Sequence, residues 1–332
     1  MHFTPWSSDA SASFKSEFRL SRAPLDPPMP SKDQYLGCIL GLALGDAMGA
    51  PYEGGILEQL IWKLIGRTKD GLPRWTDDTQ MSIDIAMSLL DNGELNQLDL
   101  STRFANSYKW SRGYGPGTAR LLKRIGKGEP WQKASMAIFK NGSFGNGAAM
   151  RASILALYFN DNIDRLLSET KRSAEITHSH PLAIEGAILI ALTTHLIINH
   201  VTIDDIINTL KEHCKSKEFG TQLKIIHAWL SSNHTPSPKE IAKTLGNGMT
   251  AQSSVMSSIC IAFLHFDKSF SELLSFARSC KGDVDTISAM AGTLWGARNG
   301  ATTIYSIPIE QRQELEQIAV NLFNQVNYPS PA

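Results

Sequence analysis

The chain has 332 residues, 42% of them hydrophobic, which is enough material for one or two domains with a buried core. Lysine plus arginine and aspartate plus glutamate number 32 each, so no net field favours a nucleic acid or an anionic membrane surface. Four scattered cysteines without a C-x-x-C pair predict reduced thiols, and the lack of a secretory signal pattern predicts a cytoplasmic protein. No stretch approaches the uninterrupted apolar length of a membrane span.

Residues 1–32 differ from the rest of the chain in composition. They are rich in serine and proline and lack helical periodicity, which is typical of a disordered tail. They also carry spaced aromatic side chains, such as Trp6 and Phe14, of the kind that anchor a segment in the pockets of a partner. Both interpretations stay open for this extension, and residues 33–328 are predicted to fold as one domain.

From about Tyr35 onward the apolar residues follow a helical period, with neither a convincing two-residue alternation nor a series of hairpin turns. This pattern predicts an all-α protein. The predicted helices lie near residues 34–48, 77–91, 97–110, 118–126, 131–139, 148–158, 164–175, 181–198, 203–214, 219–231, 238–246, 251–265, 270–279, 285–299 and 309–325.

Two of these helices carry small residues at every fourth position, which places each set along one helix face. The sets are Gly37, Gly41, Gly45 and Gly49 in the first helix, and Ser288, Gly292, Gly296 and Gly300 in the late one. A glycine inside a helix costs about 1 kcal/mol relative to alanine, so such stripes need a packing reason. We expect the two helix backbones to approach each other unusually closely, although glycines merely tolerated in a loose bundle are the alternative.

Two short acidic clusters, far apart in the chain, share one chemistry: Thr76-Asp77-Asp78-Thr79 and Gly282-Asp283-Val284-Asp285-Thr286. Buried together, their carboxylates would repel one another unless cations neutralised them. Mg²⁺ and Mn²⁺ accept carboxylate and hydroxyl oxygens, whereas zinc favours histidine or cysteine. The clusters therefore predict a two-metal site. The alternative is plain helix capping, with Thr76 as an N-cap and Asp77 and Gln80 at capping-box spacing.

Two further acids accompany the first glycine stripe. Glu53 follows the striped helix in a loop, where a solvated acid is the simplest interpretation. If the two stripes meet, Glu53 becomes a candidate metal ligand, water-orienting base or gate residue. Asp46 lies within the striped helix, and we expect it to make structural hydrogen bonds to a neighbouring loop.

Three loops carry weaker signals. The glycine-rich segment Gly142–Gly147 runs into an apolar helix pattern, and successive N–H groups at a helix start can bind an anion, with Phe144 available to stack on a base. Gly113–Thr118 is a second loop of this kind. The third, Thr177-His178-Ser179-His180-Pro181, suggests helix capping and supporting hydrogen bonds more than metal binding.

Taken together, these segments resemble the ADP-ribosylglycohydrolase family, which includes dinitrogenase-reductase-activating glycohydrolase and the ADP-ribosylarginine and ADP-ribosylserine hydrolases. The matching stretches are GCILGLALGDAMGAPYE, WTDDTQM, GYGPGT, GSFGNGAAMR, ITHSHP and GDVDTISAMAG. The resemblance implies a compact, orthogonal all-α bundle with a dinuclear metal site containing two Mg²⁺ or Mn²⁺ ions.

The resemblance also implies roles for individual residues. Its metal ligands are Thr76, Asp77, Asp78, Asp283, Asp285 and Thr286. Its diphosphate loop is Gly142, Ser143, Phe144, Gly145, Asn146 and Gly147, with Phe144 and His178 near the adenosine end. Gly115 belongs to the loop that faces the distal ribose. Glu53 matches a mobile acid, and either Asp77 or Glu53 is the general base.

The reaction implied is hydrolysis of the bond between C1″ of ADP-ribose and a protein side chain, with arginine expected and serine as the alternative acceptor. A metal-free route with two carboxylates is the mechanistic rival. The extension at residues 1–32 resembles that of bacterial immunity-type ADP-ribosylarginine hydrolases, in which it engages an ADP-ribosyltransferase toxin. A protein that acts mainly by occluding such a partner is therefore the alternative function.

Overall fold

Sixteen α-helices and three short 3₁₀ turns form the described part of the computed structural model, residues 29–328, and this part contains no β-sheet. The all-α prediction is confirmed. Most of the predicted N-terminal extension, residues 1–28, lies outside the described residues, so its interpretation stays a prediction. The helices are α1 (Lys32–Gly49), α2 (Ile56–Ile65), α3 (Asp77–Asn92), α4 (Gln97–Ser107), α5 (Pro116–Ile125), α6 (Trp131–Ile138), α7 (Ser153–Tyr158), α8 (Ile163–Glu175), α9 (Pro181–Ile198), α10 (Ile203–His213), α11 (Lys217–Ser231), α12 (Pro238–Thr244), α13 (Ala251–His265), α14 (Phe270–Cys280), α15 (Val284–Asn299) and α16 (Arg312–Asn327).

Helices α1 and α15 pack against each other backbone to backbone, as the glycine stripes predict. A Cβ atom added at Gly41 would overlap the carbonyl oxygen of Gly292, and one added at Gly45 would overlap that of Ser288. At Gly49 an added Cβ would lie 2.7 Å from the Cα of Asp285. The two helices therefore run antiparallel, and the C-terminal end of α1 lies beside the N-terminal end of α15.

Helix α9 corrects the expectation that no segment approaches a membrane span. It is 18 residues long with a mean hydropathy of 1.8, so it is long and apolar enough to cross a bilayer. In the structure 72% of it is buried inside the protein, between α7, α8, α13 and α15. A helix that is apolar on all sides is expected at the centre of a large helical core, and α9 occupies that place.

One predicted helix begins too early, and one observed helix was not predicted. The sequence predicts a helix over 148–158, but the chain first forms a 3₁₀ turn at Asn146–Ala148 and α7 begins only at Ser153. Helix α2 is missing from the prediction altogether. Its apolar residues are largely exposed, with Ile56 80% and Leu64 85% accessible, so it is not part of the core that makes the other helices recognisable.

Candidate active site

The first acidic cluster opens helix α3 and is held there by Asp46 of α1. The Asp46 carboxylate accepts hydrogen bonds from the amide of Thr76 at 2.9 Å and from the amide and hydroxyl of Thr79 at 3.1 and 2.6 Å. The expectation of structural bonds from Asp46 to a neighbouring loop is thus confirmed. These bonds satisfy amides at the start of α3, which have no partner within the helix.

Thr76 is the N-cap residue of α3, and its hydroxyl oxygen accepts a hydrogen bond from the amide of Asp78. The capping box with Asp77 and Gln80 is not formed, because the Gln80 amide turns instead toward Asp84, at 3.3 Å. Capping therefore accounts for Thr76 but leaves the carboxylates of Asp77 and Asp78 without a capping role.

The second cluster lies at the start of α15 and meets Glu53 there. Carboxylate oxygens of Glu53, Asp283 and Asp285 lie within 4.8 Å of one another. Asp283 is fixed by Asn146, which donates to its Oδ2 at 2.5 Å, and its own amide donates to the carbonyl of Asn247 at 2.8 Å. The close packing of α1 on α15 places Glu53 beside the second cluster, because only a short 3₁₀ turn separates Gly49 from this acid.

The two clusters face each other across this site. Burial, and then the charge of Asp46, raise the pKa of Asp77 well above its usual value, and Glu53 and Asp283 add to the effect. Burial, followed by the charges of Glu53 and Asp283, raises the pKa of Asp285. Carboxylates that raise each other's pKa values in this way are close neighbours, so distant parts of the chain build one acidic centre.

The donor set fits hard divalent cations. The side chains of Thr76, Asp78, Asp283, Asp285 and Thr286 are all buried, and Asp77 and Glu53 are half-buried. Within residues 29–328, Oδ1 of Asp78 is shielded from solvent yet accepts no hydrogen bond. A buried carboxylate oxygen without a donor is costly unless a cation or a proton satisfies it. The acidic cluster could therefore bind metal, and its oxygen-only ligands favour magnesium or manganese over zinc.

A buried ion pair stabilises the segment that leads into α3. The guanidinium of Arg112 pairs with the Glu310 carboxylate, stacks on the Trp75 ring with its Cζ atom 3.5 Å from the centroid, and donates to the Trp75 carbonyl at 2.6 Å. Glu310 in turn accepts from the Trp75 amide at 2.8 Å. These contacts fix the residue immediately before Thr76. This pair is not recognisable in the sequence, since no motif surrounds Glu310, which lies in the loop before α16 and not in the helix predicted at 309–325.

The loop Gly113–Thr118 lies next to the metal-ligand candidates. A Cβ added at Gly113, whose φ is +82°, would be 3.8 Å from the Cβ of Thr76 and 3.9 Å from Oδ1 of Asp77. Gly115 is exposed, and the space around it is open within 4 Å. Tyr114 is buried between them, and burial followed by the charges of Asp77 and Asp84 raises the pKa of its phenol. The loop is therefore placed to contact a ligand that reaches Asp77.

The loop Gly142–Gly147 borders the acidic centre on another side. Asn146 donates its amide hydrogen to the Met249 carbonyl at 3.0 Å, and Gly145 donates to the Ser143 hydroxyl at 3.3 Å. The amides of Ser143 and Phe144 have no acceptor among the described residues. Because the loop ends in the 3₁₀ turn Asn146–Ala148 and not in an α-helix, the predicted anion site at the start of an α-helix is wrong in that detail. The free amides come from the loop itself.

The ring of Phe144 is 48% exposed at the outer edge of this loop. Its backbone is nevertheless fixed, since its carbonyl accepts from Ala251 at 3.0 Å and its ring lies 5.7 Å from that of His180, edge to face. An exposed aromatic ring on a fixed backbone is suited to stacking on a planar ligand. His180 caps helix α9 by accepting from Leu182 at 3.2 Å, as its position before Pro181 predicts.

His178 packs directly beneath the glycine loop. A Cβ at Gly147 would lie 2.6 Å from its Cε1 atom, so no larger residue fits there, and one at Gly145 would lie 3.2 Å from its Nε2 atom, which is a tight contact. Arg151 donates to the Thr177 hydroxyl at 2.9 Å, and the same hydroxyl forms a hydrogen bond with Nδ1 of His178 at 2.7 Å. When the hydroxyl donates in this bond, the ring proton lies on Nε2, facing the loop.

Electrostatics keep His178 neutral and Arg151 charged. Burial, with the added charge of Arg151, lowers the pKa of His178 to about 3. Burial lowers the pKa of Arg151 to about 9, which still leaves it protonated near neutral pH. Arg151 also donates to the Gly147 carbonyl at 2.7 Å, so a buried positive charge lies under the glycine loop. This arginine ends the GSFGNGAAMR stretch, whose sequence alone does not indicate its role.

Comparisons with known proteins agree with this architecture. A family model described as ADP-ribosylglycohydrolase matches residues 27–331. ADP-ribosylhydrolase ARH3 of Xenopus tropicalis is 31% identical over 312 residues, which cover 82% of this chain and 88% of that protein. ADP-ribosylhydrolase ARH3 of Danio rerio is 29% identical over 340 residues, with 90% and 92% coverage.

A solved structure described as an ADP-ribosylglycohydrolase-related protein complex has the same fold. It aligns with a TM-score of 0.69 at 27% identity and covers 89% of this chain and 98% of its own. The family model spans nearly the whole chain, including both acidic clusters and all three loops of the site. The chain belongs to the ADP-ribosylglycohydrolase family.

Proposed function

We propose that this protein is a metal-dependent hydrolase that removes ADP-ribose from modified protein side chains. The observation that carries the proposal is the meeting of Glu53 with Asp283 and Asp285, beside Asp77, in a chain of the ADP-ribosylglycohydrolase family. Oxygen ligands from both acidic clusters suit a pair of Mg²⁺ or Mn²⁺ ions. Thr76, Asp77, Asp78, Asp283, Asp285 and Thr286 would hold them.

Bound divalent cations would orient the distal ribose hydroxyls and lower the pKa of a water molecule. Asp77 or Glu53 would take the proton from that water, because both carboxylates are half-buried and face the centre. The Gly113–Thr118 loop would position the ribose and the attached protein side chain beside Asp77.

The diphosphate would lie against the glycine loop. The amides of Ser143 and Phe144 and the Nε2–H of His178 are hydrogen-bond donors there, and Arg151 adds a buried positive charge. The exposed ring of Phe144 would stack on the adenine. Binding energy from this remote part of the substrate would orient C1″ for attack.

The acceptor side chain is the finer part of the proposal. Arginine is the acceptor predicted from the sequence, through the likeness of the extension to immunity-type hydrolases. The relatives described above are called ADP-ribosylhydrolase ARH3, a name without arginine in it, so serine is tested beside arginine. Arginine leaves as a guanidine and serine as an alcohol, so the two substrates demand different protonation of the leaving group.

A toxin-neutralising role through residues 1–32 is a second, narrower part of the proposal, in a cytoplasmic setting. Ser31 caps α1 in a capping box with Gln34, so a clean truncation ends at residue 28 and preserves that cap. Full-length protein and protein lacking 1–28 would be compared for inhibition of an ADP-ribosyltransferase domain. Equal inhibition by both forms would contradict a role for the extension.

The hydrolase activity is tested by incubating the full-length protein with peptides that carry ADP-ribose on arginine or on serine. Released ADP-ribose is measured by chromatography with Mg²⁺, with Mn²⁺ and with EDTA. We expect the release of ADP-ribose to require the cation. Asp77→Asn and Asp283→Asn should each reduce it by at least about a hundredfold. Asp204→Asn is the matched control, because Asp204 and Asp205 also form an acid pair at a helix start, with Asp204 exposed. Release that persists in EDTA favours the metal-free route.

A further inference from the structure

The position of Glu53 depends on a short turn at the end of α1. Gly49 is fixed by its contact with Asp285, but the chain then leaves α15 through the 3₁₀ turn Ala50–Tyr52. Directly after Glu53 the backbone enters the left-handed region at Gly54, with φ +67°, and turns toward the exposed helix α2. The contacts of this turn therefore determine how firmly Glu53 is held at the acidic centre.

Arg278, near the end of α14, contacts this turn at two places. Its Nε and Nη2 atoms donate to the carbonyl of Met48 at 3.2 and 3.0 Å. Its guanidinium lies over the Tyr52 ring, with Cζ 4.6 Å from the centroid. One side chain thus binds the last turn of α1 and the residue immediately before Glu53.

The same arginine is coupled to the second acidic cluster through a tight connection. Between α14 and Asp283 lie only Lys281 and Gly282, both with positive φ, at +58° and +81°. A Cβ at Gly282 would overlap Asn247, so this connection is closely packed and leaves little freedom. Arg278 therefore belongs to the rigid part of the protein that also carries Asp283.

The turn also borders open space. A cavity of about 350 Å³ lies there, lined in part by Pro51, Tyr52, Trp62 and Arg278. Tyr52 itself is 49% exposed. Because the cavity and solvent adjoin the ring, the turn has room to move if the stacked guanidinium is lost.

Repulsion among acids also acts on this turn. Carboxylate oxygens of Glu53, Asp283 and Asp285 lie within 4.8 Å of one another. Like charges at this range repel each other whenever they are not fully neutralised. A cation–π stack combined with two hydrogen bonds from one guanidinium can offset that repulsion without placing a positive charge in the metal site.

We propose that Arg278 and Tyr52 are positioning residues that hold the Glu53 turn against the acidic centre. The proposal rests on the proposed function for its effect on catalysis, although the contact itself does not. It differs from a purely structural role, in which Arg278 only caps the C-terminal carbonyl of α1 and stabilises the fold.

The test combines turnover with backbone exchange in the full-length protein. Arg278→Met and Tyr52→Leu are made in the wild-type and in the Glu53→Gln backgrounds, with Arg67→Met as a matched arginine from the same cavity wall. We expect each of the two variants to lower kcat by about fivefold to twentyfold in the wild-type background, with little change in KM. In the Glu53→Gln background they should have no further effect. Tyr52→Phe, which keeps the ring, should retain most of the turnover lost in Tyr52→Leu.

Hydrogen–deuterium exchange supplies a readout that does not need activity. Arg278→Met should speed exchange at residues 50–55 and leave the buried part of α1 unchanged, whereas Arg67→Met should change neither. The proposal is overturned if Arg278→Met lowers stability but leaves exchange at 50–55 as in wild type. It is also overturned if kcat falls by the same factor in both backgrounds. If the wild-type protein shows no hydrolase activity, the proposed function fails and the exchange result alone decides this inference.

Discussion

The side-chain amide of Asn146 donates a 2.5 Å hydrogen bond to Oδ2 of Asp283, 137 positions further along the chain. The second hydrogen of the same amide is directed to the Ser254 hydroxyl, at 3.0 Å. Asn146 belongs to the glycine loop and Asp283 to the acidic centre. One residue therefore links the proposed diphosphate site to a proposed metal ligand.

Replacing Asn146 by leucine should weaken both metal binding and substrate turnover. The hydrogen bond from Asn146 opposes the rise in the pKa of Asp283 that burial causes, so its loss should make that carboxylate a poorer ligand at neutral pH. We expect Mn²⁺ affinity, measured by titration calorimetry, and kcat/KM each to fall by about tenfold or more. Asn199→Ala is the control, because the Asn199 amide makes bonds to Asn160 and His195 and should affect stability without changing Mn²⁺ affinity. Unchanged Mn²⁺ affinity in Asn146→Leu would refute the link.

Alanine at Gly41 should destabilise the protein severely. The new Cβ would overlap the carbonyl of Gly292, and a backbone atom cannot move aside as a flexible side chain can. We expect the free energy of unfolding, measured in urea, to fall by at least about 2 kcal/mol. Gly220 of α11 is the matched control, since nothing lies within 4 Å of a Cβ added there. Gly220→Ala should be neutral or stabilising by up to about 1 kcal/mol. Equal effects at both positions would argue against the close packing of α1 on α15.

Glu310→Gln should leave the guanidinium of Arg112 buried without its counter-ion. The side chains of Arg112 and Glu310 are only 5% and 8% exposed, so the loss should cost about 3–5 kcal/mol of unfolding free energy. Glu129→Gln breaks the Arg124–Glu129 pair, in which the arginine side chain is 43% exposed, and should have no measurable effect on stability. A Glu310→Gln protein as stable as the Glu129→Gln protein would show that the buried pair does not support the start of α3.

Stability should depend on pH and on metal together. In the unfolded chain an aspartate has a pKa of about 3.9. Burial is the main cause that raises the folded pKa of Asp46 to about 6 and that of Asp84 to about 7, and it raises those of Asp77, Asp78 and Asp285 as well. A folded pKa above the unfolded one means that the folded state holds the proton more tightly. Its stabilising effect is complete below about pH 4 and is lost as the pH rises through the folded value.

These carboxyl groups should therefore reduce the stability of the metal-free protein as the pH rises from about 4 to about 7. Metal binding needs deprotonated carboxylates, so saturating Mg²⁺ should raise the melting temperature more at about pH 8 than at about pH 5. Thermal unfolding with Mg²⁺ and with EDTA measures both effects. Equal shifts at the two pH values would mean that the titrating acids are not the ligands.

Periodicity in the sequence predicts most of the helices, because their apolar faces are buried in one core. It also predicts the approach of α1 to α15, since glycines at Gly41 and Gly292 are costly unless another backbone lies against them. Helix α2 escapes the prediction because the side chains of Ile56 and Leu64 remain exposed. The late start of α7 also escapes it, because the apolar pattern continues through residues 148–152 although the chain forms a 3₁₀ turn at Asn146–Ala148 and α7 begins at Ser153.

For the site, the acidic clusters and Glu53 are recognisable because their residue types carry the chemistry. The residues that hold these acids in place are not recognisable in the sequence. Arg112 and Glu310 form a buried pair between residues 198 positions apart, and each looks like an ordinary surface charge in the sequence. Arg278 has the same appearance, and only its stacking on Tyr52 distinguishes it. Residues that position a site are chosen by packing in three dimensions, which local spacing does not encode.

The central claim is that two distant acidic clusters hold one pair of cations. It is tested most directly by anomalous diffraction from crystals of the full-length protein soaked in Mn²⁺. We predict two anomalous peaks roughly 4 Å apart, with ligands from both the Thr76–Asp78 and the Asp283–Thr286 segments. Manganese bound by only one of the two segments, or no ordered manganese between them, would contradict the account.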